Sequence, residues 1–320
     1  MTTGPILLFG LPRSGTTWVG KIFDSHPRTL YRHEPDSVVR MPLPLVVDAA
    51  DDACPVVRDY FAAIPGMNAP KVCAKLPLFP KAYLSGPRFQ LFRLGVYASK
   101  VAGRLGRALP VFANPGLPAD GSVRLVWKSI ESLGRLGLIH RCLDEAFAVH
   151  IIRHPCGYVA SVLRGEARRQ FTDNRPSSED YDLFEKLLQT PQAERHGLDL
   201  DYLKSLTPEA RLAWRWVIFN EKARDDLAGR PRHTLLVYDA LCEDPLGQAR
   251  ALFEACGLEW NGQTERFVRS SITSEQDAYY SVFKDPKAAA NKWRRDLSPR
   301  QIDDILAVAG KSGFLDHFPA

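Results

Sequence analysis

Short unbroken apolar runs alternate with longer stretches of mixed polarity along most of this chain. Pro5-Ile-Leu-Leu-Phe9 is the first such run, and Gly10 closes it. It lacks polar alternation, which predicts a strand buried on both faces, as in a parallel sheet. Residues 16–24 predict a helix that stops near Ser25-His26-Pro27, because the residue before proline avoids helical geometry. "TLYRHEP" follows as an extended piece, and "SVRLVWK" (122–128), "AFAVHIIR" (146–153) and "HTLLVYD" (233–239) predict further strands. Helices are expected over 134–143, 157–169 and 207–227, from Asp244-Pro245 to Gly257, and beyond Leu297-Ser298-Pro299. Thr207 caps the third of these, with Pro208 at its first helical position. Residues 176–206 read as loop with short helices.

Strands alternating with helices of ten or more residues predict an α/β class: three layers, α/β/α, around a central mostly parallel sheet. We read residues 1–320 as one domain with an insertion at about 40–120. That insertion is rich in proline and glycine and has no acidic residue between Asp59 and Asp120, which suits lid helices over an acceptor. Within it, Arg93, Tyr97, Lys100, Arg104 and Arg107 share one helical face, with Leu91, Leu94, Val101 and Leu105 elsewhere. Two readings stay open there: a solvated face with snorkelling arginines, or a contact with an anionic membrane or acidic substrate.

Charge and cysteine content narrow the picture modestly. A net charge of +5, from 42 basic and 37 acidic residues, is too mild to imply nucleic acid but suits an anionic ligand. No apolar stretch reaches membrane-spanning length, and no secretory leader is expected ahead of the first strand. The six cysteines, without any C-x-x-C, are expected to be reduced thiols of a cytoplasmic protein.

The candidate chemistry starts at "LFGLPRSGTTW", residues 8–18. A strand, a Gly/Ser/Thr-rich turn and a helix form an anion site, because the first helical amides lack internal partners and the dipole end is positive. Gly15 permits close backbone approach, Ser14, Thr16 and Thr17 add hydroxyls, and Arg13 adds planar donors. The spacing Gly10 to Gly15 matches the ATP-type loop, but Thr16 stands where that loop has lysine. Strand 146–153 ends in Arg153 instead of a magnesium-binding acid.

"LPRSGTTW" resembles the 5′-phosphosulfate loop of sulfotransferases that use 3′-phosphoadenosine 5′-phosphosulfate (PAPS). "IIRHPCGYVASVLRG" is similar to that family's second motif, a strand-end arginine followed eight positions later by a helical serine. The resemblance implies a P-loop NTPase-like sulfotransferase fold with helical insertions, and Arg153 and Ser161 as holders of the 3′-phosphate. It implies that Pro12, Arg13, Ser14, Gly15, Thr16, Thr17 and Trp18 form the rest of the cofactor loop. Tyr238 in "LLVYDALCEDP" and Ser281 and Lys284 in "YYSVFKDPKAAANKW" are further cofactor candidates by resemblance. "DSHP" and "YRHEP" are more similar to the carbohydrate and tyrosylprotein branch, where a glutamate after the second strand is the base. Glu34 is the matching position, and "VWKS" points to Lys128 as a contact of the transferring sulfuryl group.

The implied reaction is in-line sulfuryl transfer to a hydroxyl or amine, with Glu34, Lys128 and Arg13 catalytic, no metal, and adenosine 3′,5′-bisphosphate as product. His33 stays open as the base, and a P-loop nucleoside or sugar kinase and an inactive nucleotide-binding module stay open as alternatives. The acceptor is expected to be a small molecule, glycan or lipid-like hydroxyl, without nucleic acid or a transmembrane segment. Peripheral membrane contact and oligomeric state are left open. One of Trp214 and Trp216 is expected in the core and the other at an adenine face.

Overall fold

The computed structural model describes residues 4–104, 118, 120–167, 175–273 and 285–318. Its sheet has five strands, all parallel, in the order β2-β3-β1-β4-β5. In chain order, β1 (Ile6–Gly10) leads through α1 (Thr16–Asp24) to β2 (Thr29–His33). The insertion follows, carrying α2 (Cys54–Ala63), α3 (Pro70–Cys73) and α4 (Gly86–Arg104). The chain returns as β3 (Arg124–Ser129), α5 (Leu136–Cys142), β4 (Phe147–Ile152) and α6 (Pro155–Ala167). Three short helices come next, α7 (Tyr181–Leu188), α8 (Pro191–Arg195) and α9 (Leu200–Ser205), then the long α10 (Pro208–Leu227). β5 (His233–Val237), α11 (Tyr238–Glu243), α12 (Pro245–Ala255) and α13 (Gly262–Thr273) complete the sheet region. The last elements are α14 (Pro286–Asn291), α15 (Trp293–Asp296) and α16 (Pro299–Ala309).

The unbroken apolar runs are explained by the layering. Along β1, Leu7 and Phe9 enter one core with Trp127, Trp216 and Ile305, while Ile6 and Leu8 enter the other with Val19, Phe23 and Phe253. Helices α5, α10 and α16 contribute to the first core, and α1, α12 and α13 to the second. Side chains that alternate between two buried faces leave β1 no solvent side, which is why it lacks polar alternation. The mostly parallel expectation thus becomes a fully parallel sheet. Thr207 accepts a hydrogen bond from the Ala210 amide, as its cap position requires, and Ser298 with Gln301 forms a capping box on α16.

Three readings need correction. The strand expected to run to Asp239 stops at Val237, and Tyr238 opens α11. Not all six cysteines are reduced: Cys54 at the start of α2 is bonded to Cys142 at the end of α5, across a separation of 88 residues. Packing of α2 against α5 sets their Cα atoms 5.0 Å apart, a proximity that no spacing pattern reveals. Cys73, Cys156, Cys242 and Cys256 are free thiols. Trp214 and Trp216 are both buried, because α10 is enclosed along most of its length.

The insertion is fastened to the sheet by buried charge. Lys21 of α1 is fully enclosed, pairs with Asp24, and donates to the Lys75 carbonyl at 2.9 Å. Burial pulls its pKa down to about 8 despite that partner. Lys81 pairs with the same carboxylate at 2.9 Å. Arg32, fully buried on β2, donates to the Ile64 and Pro65 carbonyls at 3.3 and 2.5 Å. No helix of the described residues is long and apolar enough to cross a membrane.

Candidate active site

Among the described candidates, Arg13, Glu34, Lys128 and Arg153 lie at the carboxyl end of a strand or in the turn that follows it, and Ser161 lies on the helix after β4. The connection after β1 runs to one edge of the sheet, to β2, and the connection after the adjacent β4 runs to the other, to β5, so the loop after β1 sits where the strand order reverses. Gly15 occupies the position before α1 with φ of 80°, a conformation glycine adopts freely. No side chain caps α1, so its first amides point out of the loop without one. A Cβ on Gly15 would lie 2.1 Å from the Tyr238 ring, so that ring closes over the loop from below. Gly15→Ala is therefore expected to destabilise the protein by about 1–3 kcal/mol through strain and overpacking. Thermal unfolding checks this, and parental stability would show that the ring yields without cost.

Arg13 is also left-handed, with φ of 73°. Its Nε donates to Ser161 Oγ on α6 at 3.0 Å. Arg153, just past β4, donates from Nη1 to the Arg13 carbonyl at 3.0 Å and from Nη2 to the Ala289 carbonyl at 2.9 Å. Its own carbonyl accepts from the buried Trp216 indole at 3.0 Å, which fixes the strand end. Gly157 makes room for it, since a Cβ there would come within 2.9 Å of Arg153 Nε. The guanidinium also lies over the Tyr238 ring, 5.2 Å from its centroid. Arg153 Nε is buried with no hydrogen-bond partner among the described residues. An orphaned guanidinium donor beside a second arginine, a serine hydroxyl and an uncapped helix start fits a phosphate group.

The second cluster lies at the ends of β2 and β3. The register pairs His33 with Lys128, and the Glu34 amide donates to the Lys128 carbonyl at 2.8 Å. This brings the Lys128 ammonium, fully buried, onto the Glu34 carboxylate. Lys71 of α3 reaches the other carboxylate oxygen at 3.5 Å. Burial alone would raise the Glu34 pKa, but the neighbouring cations, Lys128 above all, bring it down to about 2. Burial lowers the Lys128 pKa, and Glu34 opposes that shift. Glu34 is left-handed, with φ of 50°, directly before Pro35. Left-handed non-glycine residues cost free energy and concentrate where a side chain must be aimed.

His33 is placed differently. Its Nδ1 bonds the Tyr31 hydroxyl at 2.7 Å, and burial followed by the Lys128 charge holds its pKa well below the usual range. Asp36 was missed by the sequence reading. Its carboxylate accepts from the hydroxyls of Ser129 and Ser132, and one oxygen has no partner among the described residues. It braces the turn after β3 next to Lys128; an acid two positions past Glu34 was the available signal. Trp18 donates to Ser271 Oγ at 3.0 Å and is buried, so it anchors α1. Ser14 and Thr16 are buried in the loop, while Pro12 and Thr17 are half-buried. Ser281 and Lys284 lie outside the described residues. His150 bonds Asn220 and His154 stacks on Trp293, so the two histidines have separate partners.

The strand ends of this α/β fold thus bring together an arginine-lined loop and a buried carboxylate–lysine pair. The chain belongs to the Sulfotransferase family, whose model matches residues 5–262. It is a sulfotransferase by that membership. No curated protein matches it in sequence. Among solved structures it is similar to the sulfotransferase domain of the Synechococcus PCC 7002 olefin synthase, at 17% identity and a TM-score of 0.45, covering 96% of this chain and 93% of that one. It is also similar to the sulfotransferase domain of the curacin biosynthetic pathway, at 14% identity and a TM-score of 0.48, covering 96% of each chain. Mouse sulfotransferase SULT7A1 complexed with PAP shares 12% identity at a TM-score of 0.43, covering 100% of this chain and 90% of that one.

Proposed function

We propose that this protein transfers the sulfuryl group of PAPS to an acceptor hydroxyl or amine, with Glu34 as general base. The observation that carries the reading is the meeting of Arg13, Ser161 and the orphaned Arg153 Nε beside the uncapped start of α1. Arg153 and Ser161 bind the 3′-phosphate, and the α1 amides with Ser14, Thr16 and Thr17 bind the 5′ side. When bound, PAPS supplies the sulfuryl group, and adenosine 3′,5′-bisphosphate leaves. Lys128 and Arg13 stabilise charge on the oxygens around the reacting centre.

The Glu34–Lys128 pair gives the base a condition. Held by Lys128, a carboxylate with a pKa near 2 is a weak proton acceptor. An anionic group beside Lys128 competes for that ammonium, and Glu34 gains proton affinity as the pairing loosens. The kinase reading lacks support from the loop, where Thr16 replaces the lysine, and the inactive-module reading must leave a buried Glu34–Lys128 pair without use. We take the chain as one domain in which the insertion at about 40–120 forms the acceptor side, since its α3 brings Lys71 to Glu34. For compartment we propose the cytoplasm, on the four free thiols; the Cys54–Cys142 bond weighs against it.

The test is transfer of labelled sulfate from PAPS to a panel of hydroxyl and amine acceptors in buffer containing a chelator. Labelled product with release of the bisphosphate supports the reading. A requirement for ATP and magnesium, with no transfer from PAPS, overturns it.

A further inference from the structure

We infer that α4 is an interfacial helix that seats this protein on an anionic lipid surface. Its inner side is ordinary: Phe89, Val96 and Ser99 are buried, and Val96 and Phe92 pack with Ala74, Cys73, Leu76 and Leu78. Its outer side is not. Leu91, Leu94 and Val101, spaced so that they form one stripe, are 58%, 64% and 58% exposed, and Tyr97 beside them is 49% exposed. Four of the seven large apolar side chains exposed among the described residues are on this one helix. The helix is therefore apolar on two opposite sides, one of which has the protein as its partner.

The charge around the stripe selects the occupant. Arg88, Arg93 and Lys100 are exposed on the same helix and lie to either side of the stripe at 100° per residue. Residues 60–119 carry eight lysines and arginines and no acid, while the whole chain has a net charge of only +5. Lys71 and Lys81 of that set are committed to Glu34 and Asp24, so the exposed charge beside the stripe is that of Arg88, Arg93 and Lys100, with no acid on the helix to offset it. Leucine and valine flanked by cations, with an aromatic at the edge, is the composition of a helix lying in the headgroup region of an anionic bilayer. The next helix back along the chain, α3, carries Lys71, which pairs with Glu34. Seating α4 on lipid would set the acceptor side of the site close to that surface, and this last step alone rests on the function proposed above.

The experiment is sedimentation of the purified full chain with sucrose-loaded vesicles, with neither donor nor acceptor present, so its outcome is independent of sulfuryl transfer. One vesicle set is phosphatidylcholine alone and the other contains about 30% phosphatidylserine, a range over which each basic residue adds measurable attraction. Binding to the anionic set is expected to exceed that to the neutral set by at least roughly tenfold and to weaken as salt rises. Leu91→Ser/Leu94→Ser should reduce it by roughly tenfold or more, since both side chains lose apolar contact with the bilayer. Arg93→Glu should reduce binding to the anionic set alone. These positions are exposed, and circular dichroism melts close to the parent would confirm that the variants fold. Failure of the parent to sediment with either set, or binding that the leucine variant leaves unchanged, would overturn the inference.

Discussion

Arg153→Ala is expected to weaken binding of adenosine 3′,5′-bisphosphate by roughly a hundredfold, the effect of losing one or two charge-assisted hydrogen bonds at about 1.5–3 kcal/mol each. The side chain is held in place by Arg13, Ala289, Gly157 and Tyr238, so its position is set before any ligand arrives. The variant also frees the Arg13 carbonyl, and with it a loop that carries two left-handed residues. Arg153→Lys separates these effects. It keeps the charge but loses the planar fork, so recovery should be partial. Isothermal calorimetry without magnesium measures all three proteins. Unchanged affinity in Arg153→Ala would place the 3′-phosphate elsewhere and remove the main support for the proposed donor.

Glu34→Gln is expected to lower kcat by about 10²–10⁴-fold, the range for loss of a general base, while bisphosphate affinity stays within about twofold. The glutamine keeps an oxygen facing Lys128 and leaves the Arg13, Arg153 and Ser161 contacts of the other cluster in place. A fall in bisphosphate affinity as large as the fall in kcat would show a structural role instead. The pH dependence adds a second readout. In the free enzyme the Glu34 pKa is near 2, so kcat/KM should show no acid limb from this group across the range where the protein is folded. In the loaded enzyme, competition for Lys128 raises that pKa, and the acid limb of kcat should appear at higher pH than that of kcat/KM. The sign for stability follows from the same shift. Because the folded pKa lies below the ordinary value of 4.5, the stabilisation from this carboxylate is fully present above about 4.5 and is lost as pH falls toward 2.

What the sequence determined here is what depends on neighbours in the chain. The apolar run of β1 announced a strand covered on both faces, because a strand without polar alternation has no solvent side. Thr207-Pro208 and Ser298-Pro299 announced helix starts, because capping is a contact within one turn. "LPRSGTTW" and the Arg153–Ser161 spacing were legible for the same reason: a loop and a strand–helix junction are each local, and their order along the chain suffices to relate them.

What only the tertiary structure decided depends on residues far apart. The ion pair of Glu34 with Lys128 follows from the parallel register of β2 on β3 across an insertion that the pattern could not bridge. That register also made Glu34 strongly acidic, while the His33 ring is tied to Tyr31 in a buried setting. The Cys54–Cys142 bond arises from helix packing across 88 residues of sequence. The exposure of Leu91 and Leu94 is of the same kind. Periodicity placed them off the basic face of a helix, but which side would be covered was settled by what α4 packs against. Burial, register and proximity are properties of the assembled layers, whereas caps, turns and strand runs are properties of the chain.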